Sequence, residues 1–219
     1  GKMQIYVYLI SIAAIKRYQG SYGVTLVAQG AFSAYETRAV RQIGGWTPGA
    51  GEDIVLTYRL LALGRTSLYE PRAVGFTTVP RTLWGLWRQR ARWARGMFEG
   101  LRAVKPWQQP TLYGGYFEAL NLSILYLDLA YVFGFLAGVV MALLGMPWLV
   151  GGTTLLTLPA LAVGMASVYA FQRRIAGIRV KNSMAGLLCF VTLFQPVQSL
   201  CSLDGYAREL MGFRLRWKT

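Results

Sequence analysis

Two long apolar stretches lie one after the other in the second half of this chain, and they constrain its fold more than any other feature. Leu122 to Leu144 is apolar apart from Asn121 at its edge and Asp128 inside, and Leu149 to Phe171 carries no charge. Either is long enough for the ~20 residues that a helix needs to cross a bilayer. Gly145-Met146-Pro147-Trp148 between them supplies a tight turn with an interfacial tryptophan. Two such neighbours do not fit the core of a small soluble domain. Gly186 to Leu203 is a third, weaker stretch, broken by Gln195-Pro196 and Gln198.

Basic residues set the expected orientation. Arg173, Arg174, Arg179 and Lys181 follow the second stretch, so that loop is expected on the cytoplasmic side. The basic first half is then cytoplasmic too, with an out-and-back hairpin between them. Arg208, Arg214, Arg216 and Lys218 also ask for the inside, which a third full crossing would deny them. A re-entrant segment bent at Pro196 reconciles the two demands. Met3 to Ile15 is apolar and followed by Lys16-Arg17, with no cleavage site of small residues; it reads as an amphipathic or buried helix rather than a signal peptide.

Charge and composition narrow the chemistry. Lys and Arg number 23 against 9 Asp and Glu, giving net charge +14, which suits an anionic partner such as a membrane surface, a nucleic acid or a phosphorylated substrate. The basic residues flank apolar spans rather than forming a domain of their own, so no nucleic-acid partner is expected. There is no histidine, which removes imidazole catalysis and imidazole metal ligation. Cys189 and Cys201 would lie roughly 18 Å apart on one helix, too far for a disulfide within it. No Asp-x-Asp occurs, and Glu52-Asp53 is the only adjacent pair of acids.

The first half reads as short alternating elements. Val24 to Ala28 and Thr66 to Tyr69 have the composition of strands. Thr37 to Ile43 is expected to be a helix ended by Gly44-Gly45, and Glu52 to Leu63 a helix ended by Gly64. Thr82 to about Leu101 is expected to form a long basic helix rich in Trp and Arg. Strands alternating with helices argue for an α/β layer. The expected organisation is therefore an α/β part over residues 1–110 and membrane helices with a basic tail over 111–219.

Two clusters could carry chemistry. Glu52 and Asp53 open a helix after a Pro-Gly-Ala-Gly loop. Acids there complement the helix dipole by about 0.3–1 kcal/mol; with no histidine, a carboxylate is also the natural general base. Gln89, Arg92 and Trp93 stand at i, i+3 and i+4 and share a helix face. That face offers an amide, a guanidinium fork for phosphate oxygens and a flat indole for a sugar ring. A basic amphipathic helix lying on a membrane would look similar.

Taken in order, Gly51-Glu52-Asp53, Tyr69-Glu70-Pro71-Arg72-Ala73, Gln89-Arg90-Ala91-Arg92-Trp93 and then membrane spans resemble the family 2 glycosyltransferases of GT-A fold. The likeness is narrower to their processive membrane members, the cellulose, poly-N-acetylglucosamine, hyaluronan and chitin-oligosaccharide synthases, and leans towards the poly-N-acetylglucosamine or hyaluronan type. It runs from about Val24 to Gly100. Gln29 to Tyr35 resembles the segment lining the family's acceptor pocket.

The resemblance implies that Asp53 is the general base, supported by Glu52. It implies that Gln89, Arg90 and Arg92 hold the nucleotide diphosphate, and that Trp93, with Gly30, Ala31 and Phe32, binds the acceptor sugar. Its implied partners are a nucleotide-sugar donor, a polysaccharide acceptor and a lipid bilayer, in a multi-pass protein of a bacterial inner membrane with its catalytic part cytoplasmic. It also implies Mg²⁺ or Mn²⁺ held by an Asp-x-Asp that these 219 residues lack. The expectation is thus the C-terminal, acceptor-side half of such a domain followed by two or three transmembrane helices, the donor half being supplied upstream or by a second chain. The alternative is a non-catalytic membrane receptor or secretion partner of the same descent. Asp128 inside the first span would be either a polar lining for a sugar channel or, as expected here, an edge residue that stays hydrated.

Overall fold

The computed structural model describes residues 4, 7–73, 75, 77–147, 163–164, 190 and 194–212. The expected second span lies outside the described residues except at positions 163 and 164, which are helical. The loop of Arg173 to Lys181 and the tail beyond Gly212 lie outside them altogether.

The chain forms two compact units. One comprises Lys16–Ile124 with Cys201–Thr219. Its helices are Ile15–Gly20, Thr37–Gln42, Glu52–Ala62 and Leu83–Ala103, the first part of Leu112–Leu129, and the end of Gln195–Leu210. Local chemistry places their ends. Gly44 and Gly64 adopt φ of 82° and 79°, where a side chain would be strained. Gly45 N–H then donates to Val40 O, and Arg65 N–H to Leu60 O. Both helices therefore close in the same six-to-one turn. Thr82 caps the Leu83–Ala103 helix by accepting from Gly85 N–H at 3.0 Å.

The expected α/β layer does not form among the described residues. Val24 and Ser67 make an isolated parallel bridge, with Thr25 N–H donating to Ser67 O and Ser67 N–H to Gly23 O. The two segments read as strands do meet. They are too short, and have too few described neighbours, to propagate a ladder. What organises them is apolar packing: Val24 and Leu26 share a buried cluster with Tyr58, Leu61, Val104 and Phe117. The Glu52–Ala62 helix thus shares one apolar cluster with the Val24–Val27 segment and the helix bearing Phe117.

The other unit comprises Gly1–Ile15 and Leu125–Leu200. Val7–Ala14 is a π-helical stretch in which Val7 and Ala13 are buried, in keeping with a buried helix there. Leu112–Leu143 is continuously helical, with a π-helical turn over Ala130–Leu136. It is the one helix among the described residues long and apolar enough to cross a membrane. Leu112, Tyr126, Phe133 and Leu143 on it are exposed.

One expectation is corrected in this unit. Asp128 is not hydrated: it is 2% exposed and its carboxylate accepts the Ser199 hydroxyl at 2.6 Å. Burial is tolerable because a partner replaces water. Pro196 stands in the Gln195–Leu210 helix; most of the segment expected to bend there lies outside the described residues.

Candidate active site

The acid pair is placed by small residues. Pro48-Gly49-Ala50-Gly51 leads into the Glu52–Ala62 helix, and Gly51 caps it with no side chain to offer. The cap comes from another helix. Glu99 of Leu83–Ala103 accepts Ala50 N–H at 3.1 Å through one carboxylate oxygen and Gly51 N–H at 2.9 Å through the other. This approach needs glycine on both sides: a Cβ on Gly96 would lie 2.7 Å from Gly51 Cα, and one on Gly51 would lie 2.6 Å from Gly96 O. Four residues on, Gly100 takes Ile54 and the Tyr58 ring against its bare backbone. Gly96-x-x-x-Gly100 is therefore the seat of the acid helix. Gly96 is three residues from Trp93 on the same helix, a rise of about 4.5 Å along its axis.

Asp53 is held by backbone donors. Its Oδ2 accepts Gly30 N–H at 3.3 Å and its Oδ1 accepts Ile54 N–H at 2.9 Å. The loop bearing Gly30 is stitched to the same helix: Ala28 N–H donates to Thr57 Oγ1 at 3.1 Å, and the Thr57 hydroxyl donates to Asp53 O at 2.7 Å. Tyr35 completes the rim by donating its hydroxyl to Ala28 O at 2.8 Å. Burial holds that phenol above its usual range, and the Asp53 and Glu52 charges add to the effect. Lys16 closes the other side, its ammonium donating to Val27 O. Burial pushes it down to about 8 against the attraction of Asp53.

The second motif divides across its helix. Arg90 is 4% exposed, its guanidinium 4.2 Å from the centre of the Trp93 ring; such a cation–π contact gains about 2 kcal/mol when desolvated. Arg92 is exposed, while Gln89 and Trp93 are half-buried. Against the same helix lies the end of Gln195–Leu210. Trp87 Nε1–H donates to Asp204 at 2.8 Å, and Glu209 bridges Arg95 and Arg102 at 3.2 and 2.7 Å.

The structure thus brings together Asp53 and Gly30 directly, and packs Gly51, just before the acid pair, against Gly96 of the helix that bears Trp93. Phe32 is exposed and lies against Gly75; Ala31 is exposed beside it. Sequence reasoning missed Lys16, Thr57 and Glu99, and had Tyr35 only as the end of the Gln29 to Tyr35 segment. The spacing of Gly96 and Gly100 was visible and could have flagged a close helix contact; nothing local marks Glu99 as the cap of a loop 48 residues earlier.

Comparison with known proteins settles the ancestry. The family model described as Glycosyl transferase family group 2 matches residues 2–193. The chain belongs to this glycosyl transferase family. Within it, a poly-beta-1,6-N-acetyl-D-glucosamine synthase of Staphylococcus epidermidis is 38% identical over 102 residues, 46% of this chain and 25% of that protein. The synthase of the same name from Staphylococcus aureus is 40% identical over 102 residues, with the same shares. The matched stretch therefore spans a quarter of the length of these relatives. No solved structure matches the chain.

Proposed function

We propose that the complete gene product is a processive hexosyltransferase, transferring a sugar from a UDP-sugar to a growing β-linked exopolysaccharide and feeding it into the bilayer. The observation that carries this reading is the glycine-seated contact that packs the loop leading into Glu52-Asp53 against the helix bearing Gln89, Arg92 and Trp93. Residues 1–110 form its acceptor-side catalytic part and 111–219 its membrane part, with the catalytic part on the cytoplasmic face of a bacterial inner membrane. The likeness to poly-N-acetylglucosamine synthases makes N-acetylglucosamine the first sugar to test.

In this reading the terminal sugar of the acceptor stacks on Trp93 beside Gly30, Ala31 and Phe32. Asp53 takes the proton from its hydroxyl, Glu52 adds negative charge beside it, and the freed oxygen attacks the anomeric carbon as the nucleoside diphosphate leaves. Gln89 and Arg92 bind the leaving diphosphate, and Arg90 contributes charge while backing Trp93. Mg²⁺ or Mn²⁺ would neutralise that diphosphate. Among the described residues no three acidic, histidine or cysteine side chains converge on one point, and Glu52-Asp53 alone does not make the oxygen set such an ion needs. In this reading the metal's ligands come from outside these residues.

The test is label incorporation by membranes carrying the complete gene product, offered a panel of UDP-sugars. Polymer from one of them is expected, with UDP-N-acetylglucosamine the leading donor; no incorporation from any would favour a non-catalytic membrane protein. Two variants separate the roles. Arg92→Ala should weaken UDP binding, since one charge-assisted fork is lost. Trp93→Ala should stop elongation with UDP affinity little changed, measured by the same assay and by UDP titration.

A further inference from the structure

The Glu52–Ala62 helix is fixed at its start by the glycine seat and Glu99, but the chemistry so far uses nothing of its second half. Tyr58 stands there, fully buried. Its ring lies against the bare backbone of Gly100, its carbonyl accepts Gln109 Nε2–H at 3.4 Å, and its hydroxyl accepts Asn121 Nδ2–H at 2.6 Å. Asn121 belongs to the Leu112–Leu129 helix, three residues past Glu118, which is also buried and faces the phenol. Burial holds that phenol well above its usual range, and Glu118 adds to the effect, so the group is a neutral hydroxyl wherever the protein works. Breaking its bond to Asn121 would leave a buried polar group unsatisfied.

A glycine contact sets how closely two helices approach; being non-directional, it does not set how either rolls about its own axis. A short hydrogen bond from a neighbouring helix does. Asp53 lies five residues before Tyr58, about 7.5 Å along the axis and about 140° around it, so the two side chains turn together. At a side-chain radius of about 5–6 Å, a roll of roughly 10° carries the carboxylate about 1 Å. The bonds at Asp53 itself resist this weakly: Ile54 N–H turns with the helix, and the Gly30 bond, at 3.3 Å, is longer than the usual range. The other brake is Thr57, whose hydroxyl accepts Ala28 N–H at 3.1 Å, and that donor sits on a loop rather than on a helix. We infer that Asn121 is a positioning residue: through the Tyr58 hydroxyl it fixes the roll of the acid helix, and with it the direction in which the Asp53 carboxylate meets the acceptor. The inference rests on the reading of Asp53 as the base.

The experiment takes wild type, Tyr58→Phe, Asn121→Leu and the double variant Tyr58→Phe/Asn121→Leu, each in the complete gene product. kcat and KM are measured with the sugar nucleotide that wild type accepts, and Tm by thermal unfolding in detergent. Asn121→Leu leaves a buried hydroxyl without its donor and Tyr58→Phe leaves the amide without its acceptor, so each single variant should lose a few degrees of Tm. Each should also lose about 10-fold to 10²-fold in kcat, up to the cost of roughly 1 Å of misplacement. KM should change little, because Gln89 and Arg92 stand on another helix. The double variant replaces both partners by apolar groups, which is nearly neutral for stability. Its Tm should return towards wild type while its kcat stays low, since no directional bond then sets the roll. A bond that serves stability alone predicts instead that rate recovers together with Tm. Recovery of kcat in the double variant, a wild-type kcat in either single variant, or a raised KM in place of a lowered kcat overturns the inference. If the double variant does not accumulate or its Tm does not return, Tyr58→Phe decides, through kcat and KM measured below its own unfolding: lowered kcat at unchanged KM upholds the inference and a wild-type kcat overturns it. An active Asp53→Asn would instead overturn the proposed function; an inactive Asp53→Asn beside a full-rate Tyr58→Phe would overturn this inference alone.

Discussion

Asp53→Asn in the complete gene product should lower polymer synthesis by about 10²–10⁴-fold, the usual worth of a general base, while UDP affinity changes little. The side chain keeps its size, and one of its two backbone bonds survives unchanged. The other, to Gly30 or Ile54, would meet an amide N–H₂ in place of a carboxylate oxygen. That costs about 0.5–1.5 kcal/mol of local stability and is far too small to account for such a loss of rate. If the acids serve only the helix dipole, the substitution costs at most about 1 kcal/mol of stability and leaves turnover nearly intact. Rate by label incorporation, with UDP affinity by titration, separates the two. A variant retaining more than about a tenth of the wild-type rate, above the low end of the expected range, would remove Asp53 from the role of base.

Gly51→Ala should be among the most damaging single-methyl additions at the described glycines. The φ of Gly51 is −123°, open to any residue, so backbone strain contributes nothing; the damage is steric. The added carbon would press on the Cα, carbonyl carbon and oxygen of Gly96, the last two at 2.7 and 2.6 Å. These are backbone atoms and cannot rotate away as a side chain would. The helices must part, and parting them also pulls Ala50 and Gly51 N–H away from Glu99. Overpacking of this kind costs about 1–3 kcal/mol, and the two lost charge-assisted bonds add to it. For a chain of this size each kcal/mol lowers Tm by roughly 2–4 °C. The same parting moves the Glu52-Asp53 turn away from Trp93, and about 1 Å of such movement can cost 10²-fold in rate. Thermal unfolding in detergent and synthesis rate should therefore fall together. Wild-type values of both would mean that the two helices are not locked at this glycine pair.

The acid pair and the Gln-x-x-Arg-Trp motif were legible because each is compact in sequence and each sits on an element that local rules identify: the first turn of one helix and the middle of another. Helix ends were legible for the same reason. A glycine with positive φ at Gly44 or Gly64, or a threonine before Leu83, acts within a few residues of itself. The candidate span through Asp128 could be read from apolar length alone, since a bilayer sets a length and little else.

What the local reading could not reach is every interaction that depends on which segments meet. Val24 to Ala28 and Thr66 to Tyr69 had strand composition, but a ladder depends on neighbours and not on the segment itself; here the two exchange a single bridge and are held by Tyr58 and Phe117 instead. Asp128 looked hydrated until Ser199, 71 residues later, arrived beside it. Nothing in the sequence marked Lys16 or Glu99 as parts of the site; both became so because folding delivered a backbone carbonyl to the one and two backbone N–H groups to the other. Sequence by itself determined the family, the helix boundaries and the residue types available for chemistry, because those follow from short-range spacing. Tertiary structure alone decided how Asp53 is held, which arginine of the motif is buried, and what seats the acid helix. Each of these is a desolvation or a contact between groups far apart in the chain, and no local pattern encodes its partner.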